Sequence, residues 1–336
     1  MRPTLADIHA AANRIRGVAD ATPLVPSANL SAPAGAEGLL KLESMQPIGA
    51  FKLRGALNAV AGLHGVAGVT CCSTGNHGRG VAYAARQKGM RAVICMSRLV
   101  PQAKVDGIRA LGAEVRIVGD SQDDAQAEAE RLEAEEGLAQ VSPFDDPLVV
   151  AGQGTIGLEI MAARPDVGTL LVPLSGGGLA AGVALAAKTI KPSVRVIGIS
   201  MDRGAAMYES LRAGHPVAVT EVASLADSLG GGIGLNNRLT FDMCRDLLDE
   251  VVLVTEAEIY RAMQAVYHED RLIAEGACVV GIAALQAGKL DGKLADGPVA
   301  TIITGRNPDM GLFTRVVTGQ DVCLGDVTVK GQRHGA

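Results

Sequence analysis

Several kinds of residue are scarce in this chain of 336 residues, and each scarcity limits the protein classes to which the chain can belong. Tryptophan is absent, phenylalanine and tyrosine occur four times each, and glycine occurs 42 times. That combination suits an α/β protein with many tight strand-to-helix turns. An excess of positive charge is also lacking, because the formal net charge is −5. We therefore expect neither nucleic acid nor an anionic membrane as a partner.

Export and metal-binding signatures are missing as well. The N-terminus has no basic segment followed by an apolar run, so we expect no signal peptide and a cytoplasmic protein. No C-x-x-C pair and no H-E-x-x-H motif occurs, and we expect reduced thiols and no metal site. The six cysteines are Cys71, Cys72, Cys95, Cys244, Cys278 and Cys323.

One uncharged segment, Thr169 to Ala187, is about as long as a membrane span. Pro173, Ser175 and three consecutive glycines interrupt it. A buried strand, a glycine loop and a buried helix explain this segment better than a membrane span does.

Strand and helix patterns alternate along the chain, which predicts parallel sheets. Strands are predicted at 38–43, 68–72, 91–96, 114–118, 170–174, 194–199, 251–254 and 298–303. Helices are predicted at 4–18, from 53, at 79–88, 102–111 and 121–136, after 157, at 179–188 and at 256–270. The length suits one large or two modest domains, with a candidate hinge at 143–147. The tail after Gly325 is polar, and we expect it to be poorly ordered.

Four loops follow predicted strands, where open α/β sheets place their ligands. The first contains Lys52, which the pattern places in the first turn of a helix. A lysine kept from water loses its proton more easily and becomes a nucleophile toward carbonyl groups. An ordinary N-terminal helix lysine is the structural alternative.

The second loop, Ser73 to His77, precedes a helix whose free N–H groups could hold a carboxylate, while Asn76 could donate to a phenolate oxygen. Simple capping by Ser73 or Thr74 is the structural alternative. The fourth loop, Thr304 to Asn307, carries a hydroxyl at the end of a strand.

The third loop, Ser175-Gly176-Gly177-Gly178-Leu179, opens a helix and suits a phosphate group. Close strand–helix packing would also explain these glycines. A rival reading is functional, because residues 176–181 fit G-x-G-x-x-A and Asp202 follows about 20 residues later. That match would indicate an NAD-binding oxidoreductase, but it leaves Lys52 without a role.

The stretch Ser44-Met-Gln-Pro-Ile-Gly-Ala-Phe-Lys-Leu-Arg-Gly55 resembles the lysine motif of fold-type II pyridoxal-phosphate enzymes, the group of threonine dehydratase and serine racemase. The resemblance covers residues 20 to 310. It implies a tryptophan synthase beta-like α/β fold of two open, mostly parallel twisted sheets flanked by helices. The active site would lie between a large domain (1–54 plus 146–325) and a small mobile domain (55–145), followed by a tail (326–336).

The resemblance also implies roles for named residues. Lys52 would carry pyridoxal 5'-phosphate and act as catalytic base, and Thr74 would be the second catalytic residue. The cofactor would contact Phe51, Lys52, Asn76, Ser175, Gly176, Gly177, Gly178, Leu179, Glu275 and Thr304. The substrate would contact Ser73, Thr74, Gly75, Asn76 and His77.

Departures from the family pattern refine this expectation. Thr74 stands where serine racemase has a serine, which disfavours racemisation. The divalent-cation positions of serine racemase appear as Ser200, Gly204 and Ala206, so no such metal is expected. Arg306 departs from the family's Ser-Gly-x-Asn motif. Because the chain stops too early for the regulatory domain of biosynthetic threonine dehydratases, we do not expect allosteric feedback of that kind.

The sequence thus predicts a pyridoxal-phosphate lyase. Its expected partners are a small amino-acid substrate and a second copy in a homodimer, and we expect neither a membrane nor nucleic acid as a partner. Segments 95–101, 228–235 and 304–310 look most like hydroxyectoine-utilisation dehydratases. The reaction would remove water from a β-hydroxy amino acid or a hydroxyectoine-derived substrate. Alternatives are L-threonine, L-serine or threo-3-hydroxyaspartate dehydratase, an NAD-binding oxidoreductase, or a non-catalytic ligand-binding protein.

Overall fold

The structure, a computed structural model, describes residues 1–73, 75–98, 100 and 102–335. Its helices are Leu5–Ile15 (α1), Ala28–Ala34 (α2), Lys52–Gly62 (α3), Asn76–Lys88 (α4), Gln102–Arg109 (α5), Gln122–Glu136 (α6), Pro147–Ala163 (α7), Gly178–Ile190 (α8), Ala206–Ala213 (α9), Leu239–Leu247 (α10), Glu256–His268 (α11), Val280–Gln286 (α12) and Met310–Val317 (α13). Its strands are Leu24–Pro26 (β1), Gly38–Lys41 (β2), Gly68–Cys72 (β3), Ala92–Met96 (β4), Glu114–Ile117 (β5), Leu138–Gln140 (β6), Thr169–Pro173 (β7), Arg195–Met201 (β8), Glu250–Val254 (β9), Val299–Ile302 (β10), Val322–Leu324 (β11) and Val327–Val329 (β12).

Two mainly parallel sheets organise the chain. The larger has the strand order β1-β2-β10-β7-β8-β9, and only its edge strand β1 runs antiparallel to its neighbour. The smaller has the order β5-β4-β3-β6 and is parallel throughout. All four strands of the smaller sheet lie between β2 and β7 in sequence. The predicted α/β architecture of two open, mostly parallel sheets is confirmed.

The central strands of the larger sheet are buried on both faces. Every residue of β7 and of β10 is buried, which explains why both sequences are nearly continuous apolar runs. The uncharged segment 169–187 forms β7, the following loop and most of α8. Within the described residues, we find no helix that combines the length and the apolar character needed to span a bilayer.

Helix α7 begins earlier than its sequence pattern predicts. The glycines at 152, 154 and 157 look like a break before a helix, but they lie inside α7. Asp146 caps this helix by accepting hydrogen bonds from the N–H groups of Leu148 and Val149. The glycines are there for packing, since a Cβ on Gly157 would lie 2.8 Å from the carbonyl oxygen of Val183 in α8.

The ends of the chain are more ordered than the sequence predicts. Thr4 and Asp7 form a capping box at the start of α1, as expected from the Thr4 position. The expectation of a poorly ordered tail is wrong for residues 327–329, because β12 pairs with β11 as a hairpin. Val329 is buried in the core of the larger sheet, which gives this hairpin its anchor.

Candidate active site

A cavity of about 800 Å³ lies between the two sheets, at the carboxyl ends of β2, β3, β7 and β10. All four predicted loops reach it. Every residue predicted to bind cofactor or substrate lines this cavity, except Thr74, which lies outside the described residues. The predicted residues that line it are Phe51, Lys52, Ser73, Gly75, Asn76, His77, Ser175, Gly176, Gly177, Gly178, Leu179, Glu275 and Thr304.

Lys52 lies in the first turn of α3, as the sequence predicts, and the helix begins at this residue, one position before the predicted start at 53. The peptide N–H before it, on Phe51, donates to the carbonyl oxygen of Thr304 at 2.9 Å and fixes the loop against the end of β10. Lys52 Nζ donates to the carbonyl oxygen of Pro143 at 2.7 Å, and it lies 5.4 Å from the centre of the Phe51 ring. Burial lowers the pKa of Lys52 from 10.5 to about 8. The amine is therefore partly neutral near neutral pH.

A buried ion cluster supports α3 from behind. Arg54 is 1% exposed, and its guanidinium donates to Glu43, which is fully buried, and to Glu159. Lys41, 2% exposed, pairs with Glu159 as well. Burial would raise the pKa of Glu43, but Arg54 outweighs it and holds that pKa below its usual range. The cluster fixes the direction of the first turn of α3, and hence of Lys52.

The glycine loop is shaped by crowding and by an unusual backbone angle. Gly177 precedes α8 with φ of +89°, in the left-handed region that favours glycine. A Cβ at Gly176 would overlap the ring of Phe144, and one at Gly178 would lie 3.0 Å from Phe144 Cα. The first amides of α8 have no acceptor within the helix. They line the cavity together with Gly176 and Gly177, where they can bind an anion.

Asn76 and Glu275 connect the two sides of the cavity. Asn76, the first residue of α4, donates its side-chain amide to both carboxylate oxygens of Glu275 at 3.0 Å. Glu275, 4% exposed, also accepts from the backbone N–H of Asn307 at 2.9 Å and from the Ser228 hydroxyl at 2.8 Å. Asn307 Nδ2 in turn donates to Asn76 Oδ1 at 2.7 Å. The orientation of the Asn76 amide is thus fixed.

The described residues of the loop 73–77, which the sequence predicts to bind substrate, make hydrogen bonds on both sides of Thr74. Ser73 Oγ accepts from the N–H of Gly75 at 3.3 Å, as in a short hydroxyl turn. His77 is buried, and its Nε2 lies 2.8 Å from the carbonyl oxygen of Val141. Burial, helped by the nearby Lys52 charge, lowers the pKa of His77 to about 3. The imidazole is therefore neutral, and its Nε2–H donates to Val141.

Thr304 lies at the end of β10, where its hydroxyl donates to Cys278 Sγ at 3.1 Å. Thr304 is 6% exposed, yet it lines the cavity. No sequence pattern predicts a role in the site for this cysteine. Pro143, Phe144 and Ser228 lie in segments that the sequence marks as a hinge (143–147) or as similar to hydroxyectoine-utilisation dehydratases (228–235). Their contacts at the cavity depend on how distant segments fold together. Asn307 belongs to the segment Thr304 to Asn307, whose similarity to the family's Ser-Gly-x-Asn motif was the sequence signal that pointed to it.

In the described part of the chain, no group of three or more His, Cys, Asp or Glu side chains is placed to hold a metal ion. The acidic side chains at the cavity differ in position and in hydrogen-bond partners. Glu275 is tied to Asn76 and Asn307, while Asp227 and Glu221 lie at the exposed rim.

Comparison with known proteins identifies the family to which this chain belongs. The family model described as "Pyridoxal-phosphate dependent enzyme" matches residues 15–305. The chain belongs to the pyridoxal-phosphate dependent enzymes. Among curated members of this family, a Sinorhizobium fredii protein provisionally named a threonine dehydratase is 55% identical over 319 residues, which are 94% of this chain and 96% of that protein. The L-threonine ammonia-lyase of Thermotoga maritima is 41% identical, over 94% of this chain and 78% of that protein.

Solved structures of the same family superpose closely. Maize serine racemase matches with a TM-score of 0.88 and 30% identity, over 94% of this chain and 97% of the other. The processed form of threonine deaminase isoform 2 from Solanum lycopersicum matches with a TM-score of 0.86 and 38% identity, over 93% and 91%. The fold prediction is thereby confirmed as fold-type II. The chain is a lyase of this family, and its cofactor is pyridoxal 5'-phosphate.

Proposed function

We propose that this enzyme removes water from L-threonine or L-serine and releases a keto acid and ammonia. The observation that carries the proposal is one cavity that contains a half-buried lysine of lowered pKa, a glycine-lined helix N-terminus and an amide fixed by Glu275. The names of the most similar curated relatives support the same reaction class.

The residues present fit the cofactor. A Cβ on Gly176 would overlap Phe144 and one on Gly178 would lie only 3.0 Å from it, and the first residues of α8 line the cavity. This loop would hold the phosphate group, with Ser175 and Leu179 beside it. Phe51 and Asn76 would flank the ring, and Thr304 would donate to its nitrogen. When bound, the cofactor withdraws electrons from the bonds at the substrate Cα.

The protein's own groups then carry the proton chemistry. The N–H groups at the start of α4, with Ser73 and Gly75, bind the substrate carboxylate and orient Cα toward Lys52. The neutral amine of Lys52 removes the Cα proton. The β-hydroxyl leaves as water with the proton that Lys52 then donates, and the enamine product hydrolyses to keto acid and ammonia. The role of Thr74 as a second catalytic residue remains a prediction from the resemblance.

The charges of the cavity favour a substrate without a second carboxylate. Of the described lining residues, the lysines are Lys52 and Lys104, whereas carboxylates come from Asp123, Glu221, Asp227 and Glu275. A 3-hydroxyaspartate substrate would bring its second carboxylate close to this acidic wall. We therefore rank threonine and serine above threo-3-hydroxyaspartate.

A hydroxyectoine-derived substrate is the second candidate, and one observation favours it. Two of the three segments that suggested it contribute to the cavity wall, through residues 228–232 and Thr304. A ring-opened derivative of a cyclic amidine carries a second nitrogen, which Glu221 and Asp227 at the rim are suited to contact.

The proposed test compares substrates on the purified, cofactor-saturated enzyme. Keto-acid release is measured with L-threonine, L-serine, threo-3-hydroxyaspartate, hydroxyectoine and its ring-opened derivatives. We expect turnover of threonine or serine, a visible cofactor band that borohydride abolishes, and loss of both in Lys52→Ala. Lys330→Ala, an exposed lysine on the C-terminal hairpin, serves as the control. Turnover of hydroxyectoine derivatives alone would select the second candidate, and turnover of none would refute the dehydratase proposal.

Two further features belong to this proposal. Residues 55–145 form a small domain that closes over the substrate on the large domain (1–54 plus 146–325), and two copies associate as a homodimer in the cytoplasm. Light scattering measures the mass in solution. Hydrogen exchange with and without substrate tests closure, which requires slower exchange in the loops around the cavity.

A further inference from the structure

We propose that Cys278 is a positioning residue, which sets the direction in which the Thr304 hydroxyl donates its hydrogen bond and so helps Thr304 to hold the ring nitrogen of the cofactor. The inference rests on the role of Thr304 proposed above. It concerns a residue of this chain that the family resemblance did not bring out.

The contacts of Cys278 place its sulfur directly behind Thr304. Cys278 Sγ accepts from Thr304 Oγ1 at 3.1 Å and from the N–H of Gly305 at 3.0 Å. Its own S–H is directed at the carbonyl oxygen of Gly305, also at 3.0 Å. The side chain is completely buried. The sulfur thus contacts both polar backbone groups of Gly305 as well as the Thr304 hydroxyl.

The backbone holds Cys278 in place from the other side. Its N–H donates to the carbonyl oxygen of Glu275 at 3.0 Å, in a short 3-10 turn over Gly276–Cys278. Glu275 N–H donates to the carbonyl oxygen of Gly305 at 3.1 Å. The turn that carries Cys278 is therefore bound to the same loop that carries Thr304.

A thiol suits this position because it can both donate and accept, although weakly in each case. In the described structure, Cys278 Sγ is the hydrogen-bond partner of the Thr304 hydroxyl. When that hydroxyl donates toward the cavity instead, its oxygen can accept the S–H of Cys278. Burial, together with the nearby Glu275, raises the pKa of the thiol to about 12, so the proton needed for this arrangement is retained at neutral pH.

Simple packing is the competing explanation, since Cys278 belongs to a core cluster with Val279 and Val280. The two explanations differ in what a substitution does. Cys278→Ala removes donor and acceptor but keeps a small apolar side chain, whereas Cys278→Ser keeps both hydrogen-bonding functions. A packing role predicts that serine, which buries a hydroxyl, is the worse substitution. A positioning role predicts that alanine is worse.

The experiment titrates pyridoxal 5'-phosphate into the cofactor-free enzyme and records the dissociation constant and the absorption band of the bound form. We expect Cys278→Ala to weaken binding roughly threefold to tenfold, the size of one modest hydrogen bond. We expect its band to shift, and Cys278→Ser to restore both values. In Thr304→Val, adding Cys278→Ala should change nothing further, because the two residues act together.

Cys95→Ala is the matched control. Cys95 is also fully buried and also contacts a threonine hydroxyl, that of Thr70 at 3.8 Å, but it does not line the cavity. Its substitution should leave cofactor binding unchanged while costing similar thermal stability. Should Cys278→Ala fail to fold, Cys278→Val takes its place, since valine also lacks both hydrogen-bonding functions but leaves no cavity behind Thr304.

Three results would overturn the proposal: unchanged binding in Cys278→Ala, a serine variant weaker than the alanine variant, or independent effects of Cys278→Ala and Thr304→Val. These results differ from a failure of the proposed function. If the unmodified enzyme shows no borohydride-sensitive band, the site assignment itself fails. If that band is present and Thr304→Val weakens binding, only the role of Cys278 is at stake.

Discussion

Asn76 and Glu275, 199 residues apart in sequence, are joined by two hydrogen bonds of 3.0 Å across the cavity. One residue begins a helix of the smaller sheet, and the other precedes a short turn beside the end of β10 in the larger sheet. Because the carboxylate of Glu275 accepts from three different residues, it determines which way the Asn76 amide points.

Replacement of Glu275 by glutamine should reduce kcat/KM about tenfold or more. The substitution removes a charge-assisted hydrogen bond worth about 1.5–3 kcal/mol, and it turns a new N–H toward groups that are themselves donors, on Asn76, Asn307 and Ser228. Steady-state kinetics with the preferred substrate measure the change. Glu209→Gln, on the exposed surface of α9, is the control and should match the unmodified enzyme. Unchanged kinetics in Glu275→Gln would show that Asn76 is oriented without it.

The pKa of Lys52 predicts the pH dependence of cofactor capture. Because burial lowers this pKa from 10.5 to about 8, the reactive neutral amine is the main form above about pH 8. The rate at which the cofactor-free enzyme captures pyridoxal 5'-phosphate should rise about tenfold per pH unit below that value and level off above it. Stopped-flow absorbance measures this rate.

Lys52→Arg is the companion variant for that measurement, since a guanidinium stays protonated and should capture no cofactor at any pH. A rate that continues to rise beyond pH 10 would show that the Lys52 amine has an ordinary pKa and is not kept from water.

Gly177→Ala should weaken cofactor binding by more than the backbone strain at this position alone would explain. Its φ of +89° disfavours alanine by roughly 1–2 kcal/mol. In addition, the new Cβ would lie 2.9 Å from Cys244 Sγ and from Met207 Cε, so the loop must move. We expect at least tenfold weaker binding of pyridoxal 5'-phosphate, measured by fluorescence titration.

Gly214→Ala separates the two causes. Gly214 has φ of +77° with no atom within 4 Å of the added Cβ, and it ends α9 away from the cavity. This control should lower thermal stability while leaving cofactor affinity unchanged. Equal affinities in both variants would contradict a phosphate-binding role for the loop at Gly177.

Arg54→Met should destabilise the protein by about 3–5 kcal/mol, because it leaves the fully buried carboxylate of Glu43 without its counter-charge. Urea unfolding monitored by circular dichroism measures this loss. Arg164→Met removes an arginine that pairs with Glu37 and Asp166 at the surface, and it should cost about 0–1 kcal/mol. Equal costs would mean that the buried cluster gives no special support to α3.

Local sequence signals predicted the elements around the cavity well. The strand at 68–72 matches β3 residue for residue, and Lys52 lies in the first turn of α3 as expected. These elements have strong apolar patterns and clear glycine or proline boundaries. Helix α4 begins at Asn76, directly after its N-cap residue Gly75, and not at Arg79 as predicted.

Features that depend on tertiary contacts could not be predicted in the same way. Strand β6 has only three residues, too few for a period-2 pattern, and its pairing with β3 defines it. The glycines of α7 looked like breaks because single-sequence signals do not show a neighbouring helix. The polar tail was expected to be loose, yet Arg203 pairs with Asp326 beside its hairpin. The contacts of Cys278 behind Thr304 likewise appear only once β10 and the preceding turn meet.

The smaller sheet is an uninterrupted insertion, from Gly68 to Gln140, into a chain that otherwise builds the larger sheet. The loops proposed for the substrate carboxylate belong to that inserted stretch, whereas those proposed for the phosphate and the ring nitrogen belong to the surrounding scaffold. One continuous gene fragment therefore encodes every residue proposed to grip the substrate carboxylate, and Asn76 is the one proposed cofactor contact that it carries as well.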